Sequence, residues 1–190
     1  VGLASGLALG NLGFTHCSIE DIGSLRSIPN LSIVVPSDPF ELFKVLSEAI
    51  DYKNSVYIRL TAAANTKIIN NKDYNFKIGK AVEILPGKDV AIIGCGNILG
   101  NCLEAASILK EKKIKCSVLN MHTIKPIDKN KIKEIAKANK LILTVEEHNI
   151  LGGLGSSVAE VLSGERNDCK LVRIGIDDFY SSGGSYEYLK

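Results

Sequence analysis

No apolar run in this sequence approaches the roughly 18–20 residues that a membrane-spanning helix needs, and no secretory signal peptide is expected. A membrane partner is therefore not expected. Disulfide chemistry is equally poorly supported. The five cysteines (Cys17, Cys95, Cys102, Cys116, Cys169) are odd in number and widely spread, with no CxxC pair. Cys95, Cys102 and Cys116 lie among apolar residues and read as small buried hydrophobes. A reducing, cytoplasmic setting follows as an expectation. Charge of one sign is also lacking: the formal net charge is +2, without the clustered basic face of a nucleic-acid binder. The lysines thicken only at Lys110–Lys115 and Lys125–Lys140, on helix ends and polar faces. There is no internal repeat. The chain starts at Val1 rather than Met, and is expected to begin inside something larger or after processing.

What is present is an ordinary globular balance. Hydrophobic residues make up 45% and charged residues 23% of 190 positions, enough for one large or two small domains with a sizeable core. Two α/β patterns are separated by a change of character. The first covers residues 1–65, the linker 66–80 and the second 81–190. The linker is dominated by Asn and Lys without periodicity.

In the first pattern, Gly2, Gly6, Gly10 and Gly13 recur at intervals of four, four and three. That spacing suits either a closely packed helix or a loop or frayed end, and the helix would lose about 1 kcal/mol per glycine. Ser18 and Asp21 suggest a capping box for a helix from Ile19 to Ile28. Pro29-Asn30 ends it. Leu31–Val35 is an apolar strand closed by Pro36. Ser37 or Asp38 caps the next helix, with Pro39 at its first position. Val56–Leu60 is a second strand, completing a right-handed βαβ unit on a parallel sheet.

The second pattern reads Ala81–Leu85 (edge strand), Val90–Gly94 (strand), Ile98–Lys112 (helix) and Lys115–Met121 (strand). A helix opened by Pro126 and Asp128 follows, then Leu141–Glu146 (strand), Gly153–Ser163 (helix) and Leu171–Ile176 (strand). Such alternation predicts a compact doubly wound parallel sheet. The Ser/Gly/Tyr-rich tail from Asp177 is expected to be irregular or to end in a short helix.

Four stretches invite chemistry. Gly94–Gly100 follows a strand and opens a helix, but its third glycine is one place late for GxGxxG and no acidic residue closes the next strand; a tight βα turn accounts for it better than a nucleotide site. Glu146–Ser157 joins a strand end to a Gly-rich helix start. A structural or interface loop, a small-anion or regulatory site and a metal site all remain open there. His122 sits just past a strand and reads as a hydrogen-bonded structural histidine. His16 differs: it lies in a small loop with Thr15 and Ser18 ahead of a helix, placed to donate to an anionic group. Arg59, on a strand of the same unit, is a candidate phosphate ligand. A satisfied loop histidine and a salt bridge are the alternatives for the pair.

Taken together, Gly13-Phe14-Thr15-His16, Ser18–Ile22, Leu25–Asn30, Val35–Asp38, Asn120–Pro126, Val145–Asn149, Gly152–Gly155, Arg173–Gly175 and Ser182-Gly183 resemble the C-terminal portion of a transketolase-type enzyme, especially the split-subunit kind. The resemblance spans nearly the whole chain. It implies an α/β fold comprising the later part of a pyrimidine-binding domain and a C-terminal domain. It implies a thiamine diphosphate enzyme that moves a two-carbon ketol unit between sugar phosphates, with Mg²⁺ or Ca²⁺. The family's Gly-Asp-Gly signature does not occur. Cofactor and metal are therefore expected to be bound mainly by an N-terminal half or subunit, in a homodimer or two-plus-two assembly, and the chain alone is expected to be inactive. No cofactor or metal ligand is assigned within it.

By the same resemblance His16 is the catalytic histidine that hydrogen-bonds the substrate, and Arg59 binds the sugar-phosphate tail. Phe14 replaces a usual proline, Leu12 a usual aspartate and, in an alignment without a gap, Ala4 another histidine, which points to an unusual sugar or to a different acceptor. A deoxyxylulose-phosphate synthase-like enzyme, the β subunit of a 2-oxoacid dehydrogenase, a non-catalytic dimerisation module and a nucleotide-binding regulatory domain are the alternative readings.

Overall fold

A computed structural model describes residues 1–63, 67–69, 74–166 and 168–190. Part of the 66–80 linker therefore lies outside the described residues. Among those described, the strands form two sheets. The first has the order β1 (Gly2–Ser5), β3 (Ser55–Thr61), β2 (Leu31–Val34), β7 (Thr123–Lys125). The second runs β4 (Val82–Leu85), β6 (Cys116–Asn120), β5 (Val90–Gly94), β8 (Leu141–Asn149), β9 (Lys170–Ile176).

In the first sheet, β2 and β3 are parallel, in register from Leu31–Ser55 to Val34–Ile58. Helix α2 (Pro39–Ile50) connects them. Asp38 is its cap, accepting the Glu41 N–H, and Pro39 takes the first position, where a missing N–H costs nothing.

Residues 2–5 correct the expectation of a helix or frayed loop: they form β1, parallel to β3. The glycine spacing serves close approach instead. A Cβ on Gly2 would fall 2.2 Å from the Tyr57 hydroxyl, and one on Gly6 (φ +71°) 2.2 Å from Glu147 Oε1. The helix expected over 19–28 shortens to α1 (Asp21–Leu25). Ser18 is not its cap; the Ser18 carbonyl accepts from Gly6 N and from Arg59. Ile19 is drawn instead into an apolar cluster with Leu7 and Cys17.

The second unit is doubly wound. Strand β5 lies between parallel partners β6 and β8, β9 continues the parallel run, and β4 is the antiparallel edge. Successive strand residues face opposite sides. Ile92 meets α3 (Leu99–Glu111) through Leu99, Cys102 and Ala106. Ala91 and Ile93 meet α4 (Lys129–Ala138) and α5 (Leu154–Ser163) through Ile132, Ile135, Leu154 and Val158. Each fully buried Ile, Leu or Val among them contributes about 1.5–3 kcal/mol.

That core does not stop at the linker. Ile22, Ile33 and Val35 of the first unit pack into the same cluster. Strand β7, which the sequence reading did not anticipate, hydrogen-bonds antiparallel to β2. Asn120 Nδ2 also donates to the buried Glu41 carboxylate at 2.7 Å. The second unit thus completes the edge of the first sheet. The tail closes with α6 (Tyr186–Leu189), capped by Ser185. No helix among the described residues is long and apolar enough to cross a membrane.

Candidate functional site at the His16 loop

Residues 10–16 form two consecutive 3-10 turns, Gly10–Leu12 and Phe14–His16. Gly13 joins them at φ 83°, ψ 179°, a backbone region essentially reserved for glycine. The loop therefore needs Gly13 to bring Phe14, Thr15 and His16 out of the sheet end. Beneath it, Leu7, Cys17 and Ile19 pack against Ile176, Tyr186 and Leu189. Above it, His16 is exposed, with Nδ1 3.1 Å from Thr15 Oγ1.

The other two histidines are wholly buried. His122 Nδ1 bonds Thr123 Oγ1 at 2.9 Å, its ring lies 4.3 Å from that of Phe76, and burial pushes its pKa down to about 4. His148 Nδ1 donates to Asn149 O at 2.7 Å, so Nε2 is the acceptor for Gly23 N. Burial likewise lowers its pKa. His16 is thus the one histidine accessible to a ligand.

Arg59 is buried rather than open. Its Nε reaches both Asp21 oxygens, at 2.8 and 3.1 Å, and Nη2 donates to the carbonyls of Ser18 and Glu147. Burial alone would raise the Asp21 carboxyl; the Arg59 charge and hydrogen bonds, with the Tyr57 hydroxyl, outweigh it and hold it below the ordinary value. The cleft that Arg59 lines with Ser5, Thr61, Asn97 and Glu147 encloses about 10 Å³, room for one water. Arg59 is therefore brought together with Asp21, Ser18 and Glu147; His16 is not among its hydrogen-bond partners.

The Glu146–Ser157 segment has its own internal acceptor. Glu146 accepts from Leu154 N at 2.6 Å and Gly155 N at 2.8 Å, so the α5 N-terminus, which would favour an external anion, is capped by the chain itself. Glu147 accepts from Leu7 N at 2.7 Å and from the Tyr186 hydroxyl at 2.6 Å. Gly94–Gly100 is a tight turn: Gly96 (φ +67°) packs where a Cβ would meet Val35 Cγ1 at 2.8 Å. Glu147, steadied by Tyr186 and through it Asn97, ties the second unit to Leu7 of the first, a link that sequence reasoning missed. Its visible signal was the unusual density of tyrosine in a polar tail.

No group of three or more His, Cys, Asp or Glu among the described residues could hold a metal ion. The buried carboxylates Asp38, Glu41, Asp128, Glu146 and Glu147, and the nearly buried Asp21, are all engaged by donors of this chain.

Comparison with known proteins decides the family. Residues 1–66 match the transketolase pyrimidine-binding domain and residues 79–190 the transketolase C-terminal domain. The chain belongs to the transketolase family. It is 39% identical over 188 residues to one of the subunits of the apulose-4-phosphate transketolase from Phocaeicola vulgatus, covering 98% of this chain and 60% of that protein. It is 34% identical over 190 residues to 6-deoxy-6-sulfo-D-fructose transketolase subunit SqwH from a Clostridium species, covering 100% and 58%. Among solved structures, a split-gene transketolase described as an inactive β4 tetramer superposes with a TM-score of 0.85 at 34% identity, over 93% of this chain and 55% of that one. The chain thus spans about 60% of the length of these curated relatives.

Proposed function

We propose that this chain is the C-terminal portion, or small subunit, of a thiamine-diphosphate-dependent transketolase-like enzyme that transfers a two-carbon ketol unit between sugar phosphates. The supporting observation is that two transketolase domains match end to end in family order, with the one accessible histidine on a glycine-hinged loop of the first. The cofactor supplies the carbanion chemistry. It and Mg²⁺ (or Ca²⁺) are held mainly by a pyrophosphate-binding half or subunit, in keeping with a sequence that carries no Gly-Asp-Gly signature. The assembly is a homodimer or a two-plus-two complex in the cytoplasm, in keeping with five free thiols.

In this reading His16 hydrogen-bonds a substrate oxygen and steadies charge that develops there. Arg59 serves the same site by fixing Asp21 and the main chain at Ser18, so holding the segment that carries His16. The sugar-phosphate contact expected of Arg59 would require it to give up Asp21 and widen a one-water cleft; the two roles are separated by the Arg59 variants below. The deciding experiment is ketol transfer on mixing the chain with the pyrophosphate-binding half, thiamine diphosphate and Mg²⁺. Turnover in the mixture and none in either part is expected. A mixture that assembles but does not transfer would favour a purely structural module.

A further inference from the structure

The second sheet ends on an open strand. Among the described residues β9 pairs with β8 alone. Lys170 N donates to the Lys140 carbonyl, and the Ile176 carbonyl accepts from Ile150 N. Those bonds set the parity along the strand. Lys170, Val172, Ile174 and Ile176 direct their main-chain groups at β8, so Leu171, Arg173 and Gly175 direct theirs to the open side. Such an edge is a template for another strand. The opposite edge, β4, is blunted: it has four residues and a register shift between Glu83 and Leu85. Strand β9 has seven residues, no proline, and unbroken register with β8 from Lys170 to Ile174. Its side chains are also uncovered. Leu143 and Val145 on β8 are partly buried against the α3 cluster, but their β9 neighbours Val172 and Ile174 are 37% and 46% exposed.

We propose that β9 is an interface with a second copy of this chain: two β9 strands pair antiparallel about a two-fold axis at Ile174, joining two five-stranded sheets into one. A two-fold contact must be self-complementary, and the residues of β9 meet that condition in this register. Ile174 faces its own copy, Val172 faces Ile176 of the other copy, and Lys170 faces Asp178, just past the strand end. Apolar therefore meets apolar and cation meets anion. Arg173 faces Gly175 of the other copy, and these two exchange the hydrogen bonds of the open edge. Neighbouring registers lose the match. An axis at Arg173 sets two guanidinium groups against each other; an axis at Gly175 sets Val172 against Asp178. The pairing holds whether or not the chain takes part in ketol transfer.

The test is sedimentation velocity of the full chain across a concentration series, where a reversible dimer is expected. Ile174→Lys places two ammonium groups on the axis and should raise the dimer dissociation constant at least about tenfold. Its melting temperature should stay within a few degrees of wild type, since Ile174 is half-exposed in the single chain. Lys170→Asp and Asp178→Lys should each weaken the dimer by about threefold, and the double exchange should restore it. Ile174→Cys reports the register directly. Directly opposed residues of a pair without mutual hydrogen bonds stand about 4.5 Å apart at Cα, within disulfide reach. Mild oxidation should therefore give a covalent dimer faster than with wild type or with Leu85→Cys on the other edge. A chain that stays monomeric at every concentration, a dimer indifferent to Ile174→Lys, or cross-linking of Ile174→Cys no faster than of Leu85→Cys overturns the proposal. So does a loss confined to assembly with the pyrophosphate-binding half, which would give the edge to that partner.

Discussion

Arg59 Nε lies 2.8 Å from Asp21 Oδ2, and both side chains are nearly sealed from solvent, at 5% and 11% exposure. Taking away one member of such a pair leaves the other buried and uncompensated, at a cost of about 3–5 kcal/mol. Arg59→Ala is therefore expected to lower unfolding free energy by that amount in urea titration. Arg59→Lys recovers little, because it loses the fork that reaches the Ser18 and Glu147 carbonyls. A loss under about 1 kcal/mol, combined with a rise in KM confined to phosphorylated donors, would instead assign Arg59 to the substrate. Asp21 adds an acid-side signature. Its folded-state pKa is depressed, so its contribution is present above the unfolded value and disappears as pH falls through the folded one. Asp21→Asn should flatten stability on the acid limb.

His16 presents the opposite balance. Its side chain is exposed and its one polar neighbour is Thr15, so truncation removes little that holds the fold together. His16→Ala should change stability by no more than about 0.5 kcal/mol while lowering turnover of the complete enzyme at least about tenfold. Wild-type turnover would remove His16 from the chemistry.

Much of the second sheet could be read in advance because its strands carry short apolar runs between clear punctuation: Pro86-Gly87 before Val90, Gly94 after Ile93, and Asp128 ahead of Ile132. Asp38 and Pro39 announced α2 in the same way. What escaped notice depended on contacts distant in sequence. Strand β7 is three residues, Thr-Ile-Lys, with no periodicity of its own; it exists because β2 offers an edge. Strand β1 was hidden by glycines, which read as flexibility but serve contact with Tyr57 and Glu147. The same applies to the site. The Gly13–His16 loop was legible from its small residues and histidine. The engagement of Arg59 by Asp21, 38 positions away, and the docking of Tyr180 on Phe14 are tertiary facts without a local signal.

The Gly152–Gly23 contact illustrates how tightly the units are joined. Gly152 has φ +78°, and a Cβ there would lie 2.8 Å from Gly23 Cα. Nearby, Arg26 Nη1 donates to the Gly152 carbonyl at 2.9 Å. Gly152→Ala meets both a disfavoured backbone conformation and a main-chain collision, costing about 2–4 kcal/mol together. Gly153→Ala is a different experiment: its Cβ would strike Glu146 Oε2 at 1.9 Å, displacing the carboxylate that caps α5. Both should lower the melting temperature, but only Gly153→Ala should also alter the pH response described next. Equal pH profiles for the two variants would argue against Glu146 as the titrating group.

Glu146 is the group through which this chain should sense neutral pH. Burial pushes its carboxyl up to about 7, and the two α5 N–H groups, with the charges of Arg59 and Arg173, pull it back only in part. The sign follows directly. With the folded pKa above the unfolded value of about 4.3, the folded chain binds the proton more tightly. The Glu146 contribution to stability is then greatest below pH 4–5 and is lost as pH rises through 7. Between pH 5 and pH 8 the wild type should lose on the order of 2–3 kcal/mol relative to Glu146→Gln, whose side chain cannot ionise. Urea denaturation of both proteins at half-unit intervals measures it. Parallel curves would mean that Glu146 stays ionised throughout, stabilised by the helix terminus. A wild type that gained on the variant as pH rose would mean that those donors outweigh burial, and the sign of the coupling would be reversed.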